Sequence, residues 1–164
     1  MKLTLIVLII LAIMPVTGNA ADTPVAANGI ALFQDYRSWG VIAPSYREDK
    51  QHIRMILGNP LAVKATKEKI LPFPDGAVLA KVDWTTRKHP MFPVAIEPFM
   101  FAQIEFMVKD GVKYKETGGW GFARFVGSDY KPYGKDAGFV KECFACHQPV
   151  KDNDYVFTSF GAVP

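Results

Sequence analysis

Phe99 to Val108 reads FMFAQIEFMV, and its run of aromatic and apolar residues marks a strong β-strand. Working outward, Ala77 to Trp84 (AVLAKVDW) and Gly119 to Val126 (GWGFARFV) read the same way. His52 to Leu57 (HIRMIL) alternates polar and apolar residues and stops at Gly58-Asn59-Pro60. Asn59 suits an N-cap with Pro60 at the first helical position, which predicts a helix over Pro60–Ile70 ended by the turn PFPDG at 72–76. Residues 36–49 predict a turn or short helix running into a strand, and residues 21–30 a loose leading segment. The proline-rich stretch at 85–98 predicts a loop, and 109–117 a turn with at most one helical turn. A glycine-rich loop runs to Asp136, a helix begins near Ala137, and residues 155–160 suit a final strand or an extended tail. Strands outweigh helices, and short connections join them. The expected class is α+β, a mainly antiparallel β-sheet with a few helices.

The first residues have a different character. Met1-Lys2 is followed by an unbroken apolar run from Leu3 to Val16, then by small residues at Gly18 and Ala20. These are the three parts of a secretory signal peptide over residues 1–20, with the run too short for the ~20 apolar residues that span a bilayer. The mature chain is then one domain over residues 21–164, exported to the periplasm, with no membrane span after cleavage. Losing the leader removes one charged residue, Lys2, so the net charge falls from +3 to +2. That weak bias, spread along the chain, argues against nucleic acid as a partner.

The only two cysteines lie in ECFACHQ, residues 142–148, with His147 directly after the second. A disulfide there would close a very small loop, and no βαβ pattern of a redox enzyme surrounds it. A structural zinc site wants four ligands, and His52 and His89 stand in no zinc-ligand spacing. Cys-x-x-Cys-His is the attachment signature of a c-type haem. Two intervening residues let both thiols, Cys143 and Cys146, reach the vinyl groups on one haem edge, and His147 then supplies the axial iron ligand. One such motif predicts one covalently bound haem c. The abundance of strands argues against helical-bundle and small all-helical cytochromes.

The sequence resembles the cytochrome P460 family, which includes the cytochromes c′-β. The resemblance rests on HIRMILGNP, FPDGAVLAKVDW, AQIEFMVKD, GGWGFARF and KECFACHQPVKDNDYVFTSF. It implies a sheet-rich homodimer with a five-coordinate haem, open on one face to small ligands. Members of the P460 type carry a lysine bonded to the haem ring and oxidise hydroxylamine, passing electrons to a periplasmic partner. The c′-β members lack that bond and bind nitric oxide or carbon monoxide. The family lysine follows Asp-Gly and a short apolar strand, which maps it onto Lys81 after Asp75-Gly76. The resemblance also maps an arginine near the open haem face onto Arg54.

Lys81 stands out by itself, interrupting an apolar strand. Alternation puts it on a face with Ala77, Leu79 and Asp83, opposite Val78, Ala80, Val82 and Trp84. Either that face is covered and the lysine needs a partner, or it meets solvent. Glu105 sits mid-strand in AQIEFMV between apolar residues: a general base for hydroxylamine, or the outward position of an alternating strand. Arg54 and His52 share a face of their strand: Arg54 could hydrogen-bond a ligand or haem substituent or stand exposed, and His52 could be a distal acid or base but is expected at the surface. Glu97 and Asp136 are weaker acid–base candidates. Met55, Met91, Met100 and Met107 could supply a sixth iron ligand, with Met91, in the expected loop, the one free of a strand. Phe73, Phe99 and Phe101 could form an aromatic wall or plain core.

Overall fold

The computed structural model describes residues 23–158. The leader expected at residues 1–20 lies outside them, as does the end of the expected segment at 155–160. The described residues form a six-stranded antiparallel sheet in simple sequential order. Its strands are β1 (Gly40–Arg47), β2 (His52–Gly58), β3 (Val78–His89), β4 (Phe92–Lys109), β5 (Trp120–Val126) and β6 (Lys131–Pro132). Two helices, α1 (Pro60–Lys67) and α2 (Phe139–His147), complete the α+β fold.

The expected helix start is the observed one. Asn59 Oδ1 accepts the Ala62 N–H at 2.9 Å, and Pro60 takes the first turn. The same side chain also accepts the Val78 N–H at 3.1 Å and donates to the Gly76 carbonyl at 2.9 Å. Asn59 therefore ties α1 to the start of β3. Asn59→Ala is expected to lower stability by about 1–2 kcal/mol, read as a lower urea midpoint with an unchanged m-value.

Two expectations change. Residues 85–98 are not a loop: β3 and β4 run on as a long hairpin that turns at Pro90-Met91. Arg87 pairs with Glu97 across it at 2.7 Å. The prolines that suggested a loop stand where β4 has an open edge, since pairing with β5 begins only at Gln103. An edge tolerates a residue without an N–H. The leading segment is not loose either. Val25 bridges Ala31, and Ala26, Ile30 and Leu32 are buried against the sheet. Residues 155–158 form no strand.

Both sheet faces are covered along the first half of β3, where Val78 to Asp83 are all buried except the half-buried Lys81. One face carries Val78, Ala80, Val82, Ile104, Phe106 and Phe125, packed under the leading segment, Tyr36, Trp39 and Phe139. On the other, Ala77, Leu79, Trp120 and Phe122 pack against Ala62 and Ala65 of α1 and against Val156. Alternation along β3 thus sorts its residues as the sequence predicts, and the face holding Lys81 is the second.

Candidate functional site

On that second face the register lines up four residues from four strands: Ile56, Lys81, Glu105 and Arg124. Adjacent positions on a sheet bring side chains within reach, so the three charged ones interact directly. Lys81 Nζ pairs with Glu105 Oε2, and Arg124 Nε donates to Glu105 Oε1 at 2.7 Å. Gln103 Nε2 donates to Glu105 Oε1 at 3.0 Å and reaches toward Asp83 Oδ2 at 3.4 Å. Asp83, 5% exposed, in turn pairs with His52 Nδ1 at 3.2 Å. Burial alone would raise the Glu105 carboxyl. The Lys81 ammonium and the Arg124 guanidinium outweigh it and hold the group below its usual 4.5.

Opposite the sheet stands α2. Cys143 and Cys146 are three apart, hence on one face of the helix, and both thiols are free. Burial pushes the Cys143 thiol up, although Arg124 counteracts it. His147 ends the helix. Its Nδ1 lies 2.7 Å from the Tyr155 carbonyl, which can only accept, so Nδ1 carries the proton and Nε2 keeps a lone pair. Phe122 and Phe157 hold the ring at centroid distances of 5.2 and 5.0 Å. Burial lowers the imidazole below its ordinary 6.5 and so favours the neutral ring, against the upward pull of the Tyr155 hydrogen bond.

Between sheet and helix lies a cavity of about 840 Å³. The structure brings Lys81, Glu105, Arg54, Cys143, Cys146 and His147 together on its lining. His52, expected at the surface, also lines it, as do Asp83, Gln103 and Arg124, which sequence reasoning passed over. Arg124 carried a readable signal, a lone charge inside the apolar strand GWGFARFV. Other candidates lie elsewhere. Glu97 is engaged on the hairpin with Arg87 and His89, and Asp136 accepts the Gly138 N–H. Met91 sits at the hairpin tip, 88% exposed; of the four methionines only Met107 lines the cavity. Phe73 packs on Trp120, Phe99 under Arg87 and Phe101 on Tyr130, so none forms a cavity wall. Phe122 and Phe157 take that place.

The sequence matches the Cytochrome P460 family over residues 33–158. The chain belongs to the cytochrome P460 family. No curated protein matches it. Membership implies a haem-binding cytochrome, and the residues of this chain fit the group. The cavity falls within the roughly 300–1,000 Å³ of cofactor sites. His147 presents a neutral nitrogen, the form that binds iron. Two buried polar atoms among the described residues lack any partner, Ser45 Oγ and Arg54 Nε. They belong to residues paired across β1 and β2, and both residues line this cavity. A buried donor without an acceptor is costly, and the carboxylates on the edge of a haem are acceptors of the right kind.

Proposed function

We propose that this cytochrome P460 is a periplasmic mono-haem c protein that oxidises hydroxylamine or a related small nitrogen species and passes the electrons on. Cys143 and Cys146 would hold the haem by thioether bonds, His147 Nε2 would ligate the iron, and Lys81 would bond to the ring. When bound, haem supplies an iron that takes a small nitrogen ligand and accepts its electrons. The observation that carries the reading is the position of Lys81. Its amine does not face open solvent but shares the cavity with the haem-attachment motif, beside a carboxylate.

The chain's own residues then divide the work. Glu105 is the group we assign to accept protons released from the substrate. With Lys81 protonated, two cations hold Glu105 as a weak base. Once the Lys81 nitrogen is tied up in a covalent bond, one of those cations is gone and the carboxyl becomes more basic. Arg54 brings an unpartnered N–H to the cavity for a ligand or a haem carboxylate. His52 and Asp83 lie between Glu105 and the rim of the sheet.

One observation favours a second reading, a c′-β-like binder of nitric oxide or carbon monoxide. A lysine ion-paired with Glu105 carries its proton and is no nucleophile, so the pair also suits a lysine that stays unlinked. Hydroxylamine-dependent reduction of a soluble electron acceptor by the holoprotein separates the two. Activity in the wild type that is lost in Lys81→Ala, with haem still attached, supports oxidation. A wild type that binds nitric oxide but turns over no hydroxylamine supports the binder.

The resemblance also implies a homodimer and a periplasmic electron acceptor. Exposed Met91, Phe92, Val94, Ile96 and Phe99 on the hairpin offer apolar surface for a second copy. Light scattering on the holoprotein tests this: twice the chain mass is expected, and a single chain mass contradicts it.

A further inference from the structure

The fold contains a second buried charge pair that does not line the cavity. Lys109 closes β4 at 6% exposure, and Asp154 follows the haem motif at 8%. Lys109 Nζ meets Asp154 Oδ1 at 2.7 Å and Oδ2 at 2.9 Å. The rest of Asp154 is also engaged. Oδ2 accepts the Phe73 N–H at 2.8 Å, and the backbone carbonyl accepts the Trp120 Nε1–H at 2.8 Å. Nζ lies 4.9 Å from the centre of the Trp120 ring and 3.4 Å from the Gly118 carbonyl. Three segments distant in sequence, around Phe73, Lys109 and Trp120, thus converge on Asp154.

The backbone at that residue is unusual. Asp154 and Tyr155 are consecutive non-glycine residues with positive φ, 48° and 63°. Each such residue is strained and persists only where its surroundings over-determine it. The Tyr155 ring is seated against Gly118, where an added Cβ would come within 2.2 Å of it. The product of this turn is the direction of one group, the Tyr155 carbonyl, which accepts the His147 Nδ1–H at 2.7 Å. An acceptor on Nδ1 fixes the tautomer and orientation of a metal-ligating histidine and strengthens it as a donor.

We propose that Lys109 and Asp154 are positioning residues for His147, acting through the Tyr155 carbonyl. The proposal rests on the assignment of His147 as the iron ligand. A buried pair kept only for stability would leave the histidine unchanged when both charges are removed together. Removing one alone would strand the other, so the test uses the double variant Lys109→Met/Asp154→Asn. Asparagine tolerates the left-handed backbone and still accepts from Phe73.

The readout is the iron–histidine stretching band in the resonance Raman spectrum of the reduced holoprotein. A weaker Nδ1–H bond makes a weaker donor, so the band is expected to move to lower frequency and the reduction potential to rise. Trp120→Phe, which removes the indole N–H that holds the Asp154 carbonyl, is expected to shift both in the same direction and keeps the test open if the double variant does not accumulate. Unchanged band and potential overturn the proposal. A wild type with no iron–histidine band overturns the assignment of His147 and the proposal with it, and so is told apart from a failure of the pair alone.

Discussion

In the haem-free chain, where Lys81 is unlinked, Glu105→Ala is expected to lower the unfolding free energy by about 3 kcal/mol at neutral pH, the low end for breaking a buried ion pair. The Glu105 side chain is 16% exposed and serves two cations, Lys81 at 29% and Arg124 at 24%. Its removal leaves both facing the cavity without compensation and strips Gln103 of its nearer acceptor. Their partial contact with water keeps the loss near the bottom of the range. The effect carries a pH signature. The folded-state pKa of Glu105 is lowered, so its contribution is fully present above the usual 4.5 and disappears as pH falls through the folded value. The gap between wild type and variant should therefore be widest near neutrality and close in acid. Urea unfolding at several pH values measures it. Equal midpoints at neutral pH would mean that water already solvates the two cations.

Replacing both Cys143 and Cys146 by alanine is expected to abolish both thioether attachments, and with them the seating that lets Lys81 bond to the ring, so that no covalent haem remains. A denaturing gel stained for haem should go from one band to none, while either single variant keeps a weaker band through its remaining thiol. The two thiols are free and share a helix face, and one thioether each is what the motif offers. Haem that survives denaturation in the double variant would have to be held by another side chain. Lys81 is then the first residue to examine.

These predictions combine features that the sequence shows unequally. The haem motif is local, so its three residues were legible at once. The faces of β3 were legible because period-2 alternation needs no tertiary knowledge, and Lys81 duly shares the covered face with Leu79 and Asp83. What alternation could not give was the partner. Lys81 and Glu105 meet through the register of β3 and β4, which a sequence specifies only through the whole hairpin. The same limit hid the Glu105 partner of Arg124 and the Asp83 partner of His52, which lies 31 residues away. The hairpin at 85–98 was misread for a different reason: its prolines are loop signals except on an open sheet edge. The Lys109–Asp154 pair left no local signal in the sequence because 45 residues separate its members.

The most direct test of the account is peptide mass spectrometry of the mature holoprotein, read beside the absorption spectrum of its reduced form. The account predicts haem on the peptide bearing Cys143 and Cys146 and also on one bearing Lys81, with a strongly red-shifted Soret band. Haem on the cysteine peptide alone, with an ordinary high-spin c-type spectrum, would contradict the hydroxylamine reading and leave the nitric-oxide binder in its place.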